Sequence, residues 1–114
     1  MNIGNQNRLQ ARINQDGAGS ATAFAAITGG RWVLVGGMIG WSNAPSTTIG
    51  LYEIDSTNSG CFLQFQTSAT NGAYSFFFGP IGIQASSSYS SRMVFNSGQA
   101  GTWTALFSGY STGQ

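Results

Sequence analysis

The sequence predicts an all-β chain: a single antiparallel β-sandwich of jelly-roll or Greek-key type, with about eight strands and an N-terminal arm. Three observations predict it. From Ala21 onward, short apolar runs alternate with turn signals roughly every 8–12 residues. The segments between the runs are built of Gly, Ser, Asn and Pro, which supply the dihedral angles of turns. No segment beyond residue 20 sustains the 3.6-residue period of an amphipathic helix. A length of 114 residues fits one domain with one modest core, so the division expected is an arm over residues 1–20 and a sandwich over residues 21–114.

In the arm, "NQNRLQARINQDGAGS" has Leu9 and Ile13 as its large apolar residues. Their i, i+4 spacing allows one or two helical turns, which "DGAGS" then breaks. The segment is either a frayed terminus or an arm that orders on a neighbouring subunit. Arg8 and Arg12 lie in it with Leu9 and Ile13, and all four are candidates for that contact.

The strands follow in order. "TAFAAI" alternates small and larger residues. "RWVLVGGMIGW" reads as a long strand bent at Gly36–Gly37, since glycine pairs mark bulges or corners. "SNAPSTT" is a loop by its Asn, Pro and Ser content. "IGLYEI" is a strand and "DSTNSG" a turn. "CFLQFQT" is a strand with Cys61, Leu63 and Phe65 on one face and Phe62, Gln64 and Gln66 on the other. After the turn "SATNG" comes "AYSFFF", ended by Gly79–Pro80. "IGIQA" is short, with Ile81 and Ile83 inward. "SSSYSS" is a loop, "SRMVF" a strand and "NSGQAG" a hairpin loop. "TWTALFSGY" closes the fold with Trp103, Ala105 and Phe107 on one face.

The triplet Phe76, Phe77, Phe78 poses a packing problem. Successive strand side chains point to opposite faces, and a sandwich covers only one face of each sheet. Either Phe77 or the Phe76/Phe78 pair therefore faces outward, and Phe62 is expected outward too. Cover by another copy of the chain or a lattice neighbour is the preferred solution. The rival is the N-terminal zone folding back over that face.

Composition narrows the function. Charged residues are 6% of the chain, with Arg8, Arg12, Arg31 and Arg92 against Asp16, Glu53 and Asp55, and the formal net charge is +1. That balance gives no reason to expect nucleic acid or an anionic membrane as partner. The longest apolar stretch, Trp32 to Trp41, is about half the ~20 residues a membrane helix needs and holds three glycines. The N-terminus has no apolar h-region of a secretory signal, so synthesis in a cytoplasm without secretion is expected. A surface kept polar by Ser, Thr, Asn, Gln and Gly repels other chains weakly, which favours dense assembly.

Little here supports catalysis. With no His and no Lys, a Ser-His-Asp triad, Ser-Lys chemistry, Schiff bases and a P-loop lysine all drop out. Glu53 and Asp55 could share a strand face as an acid/base pair for a small hydrolase, but they adjoin a turn that an Asp caps naturally. The lone Cys61 excludes an internal disulfide and reads as a small buried apolar residue. No cofactor or metal is expected. Among the aromatics, Trp41, Tyr52, Tyr74, Tyr89, Trp103 and Tyr110 could stack on a sugar or fill an interface. Tyr89, alone in a serine loop, has the chemistry of an adaptable contact loop.

The succession "RWVLVGGMIGWSNAPS", "FFFGPIGIQA", "SSRMVFNSG" and "GTWTALFSGY", over about residues 31 to 110, resembles the small accessory virion proteins of tailed bacteriophages that decorate capsids or contribute to spikes and fibres. Where that family often has Gly-Asp before the penultimate strand, this chain has "SSSYSS". The resemblance implies a β-sandwich, homo-oligomeric assembly (often trimeric), attachment to capsid or tail proteins, and no enzymatic activity. The expectation is therefore a virion structural protein with its interface at Arg8, Leu9, Arg12, Ile13, Phe62, Phe77 and Tyr89. The alternative is a carbohydrate- or receptor-binding module of a fibre tip, with a glycan as ligand.

Overall fold

The computed structural model describes residues 7–27, 29–55, 59–85, 91–98 and 101–113. Within them the chain forms nine strands: β1 (Asn7–Asp16), β2 (Gly19–Phe24), β3 (Gly30–Ser42), β4 (Thr48–Ile54), β5 (Ser59–Gln66), β6 (Gly72–Phe77), β7 (Ile83–Gln84), β8 (Arg92–Ser97) and β9 (Thr102–Gly113). They make two sheets. The first has the order β1-β9-β3-β6, with β7 also pairing β3; the second has the order β2-β8-β4-β5. Every pairing is antiparallel. The chain crosses between the sheets so that β1, β3 and β9 interleave with β2, β4 and β8, which is the strand order of a jelly roll.

The core comes from the central strands. Trp32, Leu34 and Ile39 of β3, Ile49 and Leu51 of β4, Met93 and Phe95 of β8, and Trp103, Ala105 and Phe107 of β9 are all buried in one cluster. Burying each large side chain contributes about 1.5–3 kcal/mol. Trp103, Ala105 and Phe107 share the inner face, as their alternation predicts.

The N-terminal zone corrects the sequence reading. Residues 7–16 are not an arm but the edge strand β1, paired with β9 from Asn7↔Ser111 to Asp16↔Thr102. The physical reason is the period. Leu9, Ala11 and Ile13 face inward, and Ile13 is in the core, while Arg8, Gln10, Arg12, Asn14 and Asp16 are exposed. A spacing of four suits a strand as well as a helix, because four is a multiple of the strand period. The small Ala11 between Leu9 and Ile13 hid the alternation. "DGAGS" is the turn into β2 and the start of that strand, with Gly17 at φ 86°.

Strand β3 bends where the glycine pair predicts. Its register on β9 slips between Leu34 and Gly36, leaving Val35 as an extra residue. A bulge of this kind reverses which positions face inward. Trp32 and Leu34 are inside before it, Ile39 after it, and Met38 is turned to solvent. Val33, outward before the bulge, is nevertheless buried. It lies opposite Tyr110, whose hydroxyl donates to the Pro80 carbonyl at 3.2 Å. Ile81 departs from expectation: it stands 84% exposed in the turn between Gly79 and Gly82, both at positive φ, because the regular strand starts only at Ile83.

The loops at one end of the sandwich are bonded to each other. Ala44 N–H donates to the Thr70 carbonyl at 2.9 Å, the Thr67 hydroxyl to the Ala44 carbonyl at 2.6 Å, and the Trp41 indole to the Ala69 carbonyl at 3.1 Å. This ties the entry of β6 to the exit of β3 and fixes the edge of the first sheet.

At Gly109, a Cβ would overlap the Val33 carbonyl and its carbonyl carbon, so the β3–β9 pairing admits only glycine there. Gly109→Ala is expected to destabilise by about 3 kcal/mol. Gly60→Ala, where an added Cβ meets nothing within 4 Å, is expected to be neutral or stabilising by up to about 1 kcal/mol. Urea denaturation of both variants checks this.

Candidate functional site

The outer face of the β1-β9-β3-β6 sheet carries three large exposed apolar side chains. Phe77 is 74% exposed, Met38 45% and Leu106 37%. Register arranges them in rows across the strands. One row runs Gln10, Ser108, Gly36, Phe77; the next runs Arg12, Leu106, Met38, Ser75. Alternation on β6 sends Phe76 inward and Phe77 outward, and Phe76 and Phe78 pack against the core. The Phe77 ring lies over the backbone of Gly36, where a Cβ would stand 3.5 Å from ring carbon Cδ1.

Beside the ring, towards β1, lies a shallow depression of about 490 Å³ walled by Gln10, Arg12, Met38, Leu106 and Ser108. Its floor is the backbone around Ala11, Gly37 and Phe107, positions whose side-chain direction is inward. The rows from Gln10 to Asn14 contain one charged side chain, Arg12.

The expected contact residues divide. Arg8, Arg12 and Phe77 stand exposed on the outside of this sheet. Leu9 and Ile13 belong to the inner side, Leu9 packing against the core and Ile13 within it. Phe62 is corrected from outward to inward. The β4–β5 register slips between Leu51 and Tyr52, so that Leu51 faces Leu63, Tyr52 faces Cys61, and Phe62 is the extra residue. The slip turns the Phe62 ring onto the core, 6.0 Å from the ring of Trp32. The same slip exposes Cys61, which was expected to be buried; its thiol donates to the Leu63 carbonyl at 3.3 Å. Tyr89 lies outside the described residues. The fold-back solution for the phenylalanine strand is also ruled out for the described part of the N-terminal zone, because β1 is in the same sheet as β6, at its opposite edge.

Met38 and Leu106 were missed by the sequence reading. Leu106 was available: with Trp103, Ala105 and Phe107 inward, alternation puts Leu106 outside. Met38 was not, because its side depends on where the bulge falls.

On the inner side, Phe65 stacks on Tyr74 with ring centroids 4.4 Å apart, and Tyr74, Phe76 and Phe78 continue at 6.0 and 5.2 Å. These half-buried rings close the flank between the edge strands β5 and β6.

The second sheet has one aromatic feature on its outer face. The Tyr52 ring lies across Gly50, where a Cβ would be 2.6 Å from Tyr52 Cε1. Gly50 sits between Asn96 and Gln64, and the Asn96 amide donates to the Ser20 hydroxyl at 2.7 Å. Glu53 and Asp55 are half-exposed at the end of β4. Among the described residues, no three His, Cys, Asp or Glu side chains gather as metal ligands, and no helix is long and apolar enough to cross a membrane.

No protein-family model matches the sequence, and no curated protein matches it significantly.

The two phenylalanines should separate cleanly in stability. Phe62→Ala is expected to cost about 2–3 kcal/mol, since it removes a ring packed on Trp32. Phe77→Ser, compared at a dilution where the chain is monomeric, is expected to stay within about 0.5 kcal/mol, as for an exposed surface position. Chemical denaturation monitored by tryptophan fluorescence measures both.

Proposed function

We propose that this chain is a non-enzymatic virion structural protein, a jelly-roll subunit of the capsid-decoration or spike kind that assembles with copies of itself on a phage head or tail surface. The observation that carries the reading is the outer face of the β1-β9-β3-β6 sheet, where Phe77, Met38 and Leu106 are exposed in rows whose one charged side chain is Arg12. A ring of this size left in water forfeits about 2–3 kcal/mol of transfer energy. Apolar surface of this kind marks a place where another protein sits. The neutral polarity of the chain supports the same reading, because like-charge repulsion between copies is slight. The absence of His and Lys from the sequence removes the commonest bases and nucleophiles. The resemblance in strand rhythm to phage accessory proteins supplies the virion setting.

Two measurements test it. Light scattering of the purified protein is expected to give a mass that is a multiple of the 11.9 kDa chain. Mass spectrometry of virions made from the encoding genome is expected to find the chain's peptides in stoichiometric amounts. A monomer absent from particles would reject the proposal.

One observation favours a second reading, a glycan-binding module at a fibre tip. Tyr52 lies flat over Gly50, and Asn96, Ser20 and Gln64 surround it with neutral hydrogen-bonding groups. A sugar ring can stack on such a platform, and amides can bond its hydroxyls. In an NMR titration with host-surface oligosaccharides, this reading expects amide shifts around Gly50 and Asn96 that vanish in Tyr52→Ala. Shifts that persist in that variant, or none in the wild type, would remove it.

A further inference from the structure

The geometry points to one specific contact between copies: Phe77 of one copy enters the depression walled by Gln10, Arg12, Met38, Leu106 and Ser108 on the next. This rests on the self-assembly reading above and gives it an address.

The knob and the hole are on the same face of the same sheet. Phe77 is on the edge strand β6, and the depression lies towards the opposite edge strand, β1. They also stand at one height along the strands, because Phe77, Gly36, Ser108 and Gln10 form a single row. A rotation axis parallel to the strands preserves height. Any closed ring about such an axis, with these faces turned inward, brings the β6 side of one copy against the β1 side of the next. Two copies would lie flat together and three would stand as the walls of a prism; the contact is the same. Self-complementarity of this kind is what closed assemblies of identical chains require, and an unrelated partner would not need knob and hole in one row.

Charge and area agree. In the rows from Gln10 to Asn14 the one charged side chain is Arg12, on β1, with Arg8 and Asp16 towards the two ends of the face. The contact sets Arg12 beside Phe77 of the neighbour, where a guanidinium can stack on an aromatic face. Two copies lying flat would hold their Arg12 residues about 14 Å apart, three strand spacings. The face spans about ten residues of β1, β9 and β3 and six of β6, or about 600 Å². Two such faces bury about 1,200 Å², the lower bound for a stable pair.

The test uses the adjacent row, so that Phe77 stays intact. Ser75 and Arg12 end the row Arg12, Leu106, Met38, Ser75. Within one chain they are about 14 Å apart, beyond the reach of a disulfide. In a Cys61→Ser background, which removes the exposed native thiol, a chain carrying both Ser75→Cys and Arg12→Cys is oxidised and run on a denaturing gel. Light scattering of the Cys61→Ser parent and of Phe77→Ser in that background accompanies it, with circular dichroism to verify folding. Covalent oligomers from the double variant, together with a parent assembly that falls to the monomer mass in folded Phe77→Ser, would establish the contact. An assembled parent that gives no bridged species and is unchanged by Phe77→Ser would overturn the contact and leave self-assembly standing. A parent that is monomeric up to millimolar concentration would overturn both.

Discussion

Strands β3 and β9 are 60 residues apart in sequence at their nearest pair, Ser42 and Thr102, and 83 apart at their farthest, Gly30 and Gly113. Their pairing is the constraint on which the molecule depends. The two strands supply Trp32, Leu34, Ile39, Trp103, Ala105 and Phe107 to the core. They are also the platform on which β1 is laid on one side and β6 and β7 on the other. The approach is close enough at Gly109 that no side chain fits. Because the ends of this ladder must find each other across most of the chain, its loop-closure entropy is lost before any contact rewards it. Such a topology folds slowly and cooperatively.

The pairing also decides what the surface looks like. The slip at Val35 lets a long strand curve over the core without losing its partner, and it changes which residues meet water. Before the slip, an outward valine is roofed by Tyr110 and the Pro80 turn; after it, an outward methionine is left bare. The exposed face is thus a product of sheet curvature and is not a separate addition to the fold. Its positions on β9 at Thr102, Thr104 and Ser108 are small and neutral. They impose little desolvation cost on whatever covers them.

Much of this was legible in the sequence. Period-two runs and turn clusters located the strands from β2 onward, the glycine pair located the bend in β3, and strand alternation required Phe77 and Phe76 to part company. What was hidden shares a cause. A single inserted residue in a ladder reverses the inward set beyond it, and nothing local in "CFLQF" announces the slip that turns Phe62 in and Cys61 out. The same holds for Met38 beyond Val35. For β1 the difficulty was different: Leu9 and Ile13 are consistent with both periods, and the choice was made by an open edge of β9 that exists only in the folded sheet. The candidate surface was therefore half readable, through Phe77, Arg8 and Arg12, and half dependent on registers that only tertiary structure sets.

The slip in β5 has another effect. "CFLQFQ" is uncharged, lacks Pro and Gly, and is rich in aromatic and branched residues, the composition of segments that stack into cross-β fibrils. It is also an edge strand of its sheet. A flat strand of this kind would offer its free backbone groups to the same strand of any other copy, without limit. The extra residue at Phe62 kinks it, and drawing that ring into the core leaves a twisted, uneven border. A bulge of this kind is one of the ways an edge strand is kept from pairing with another chain.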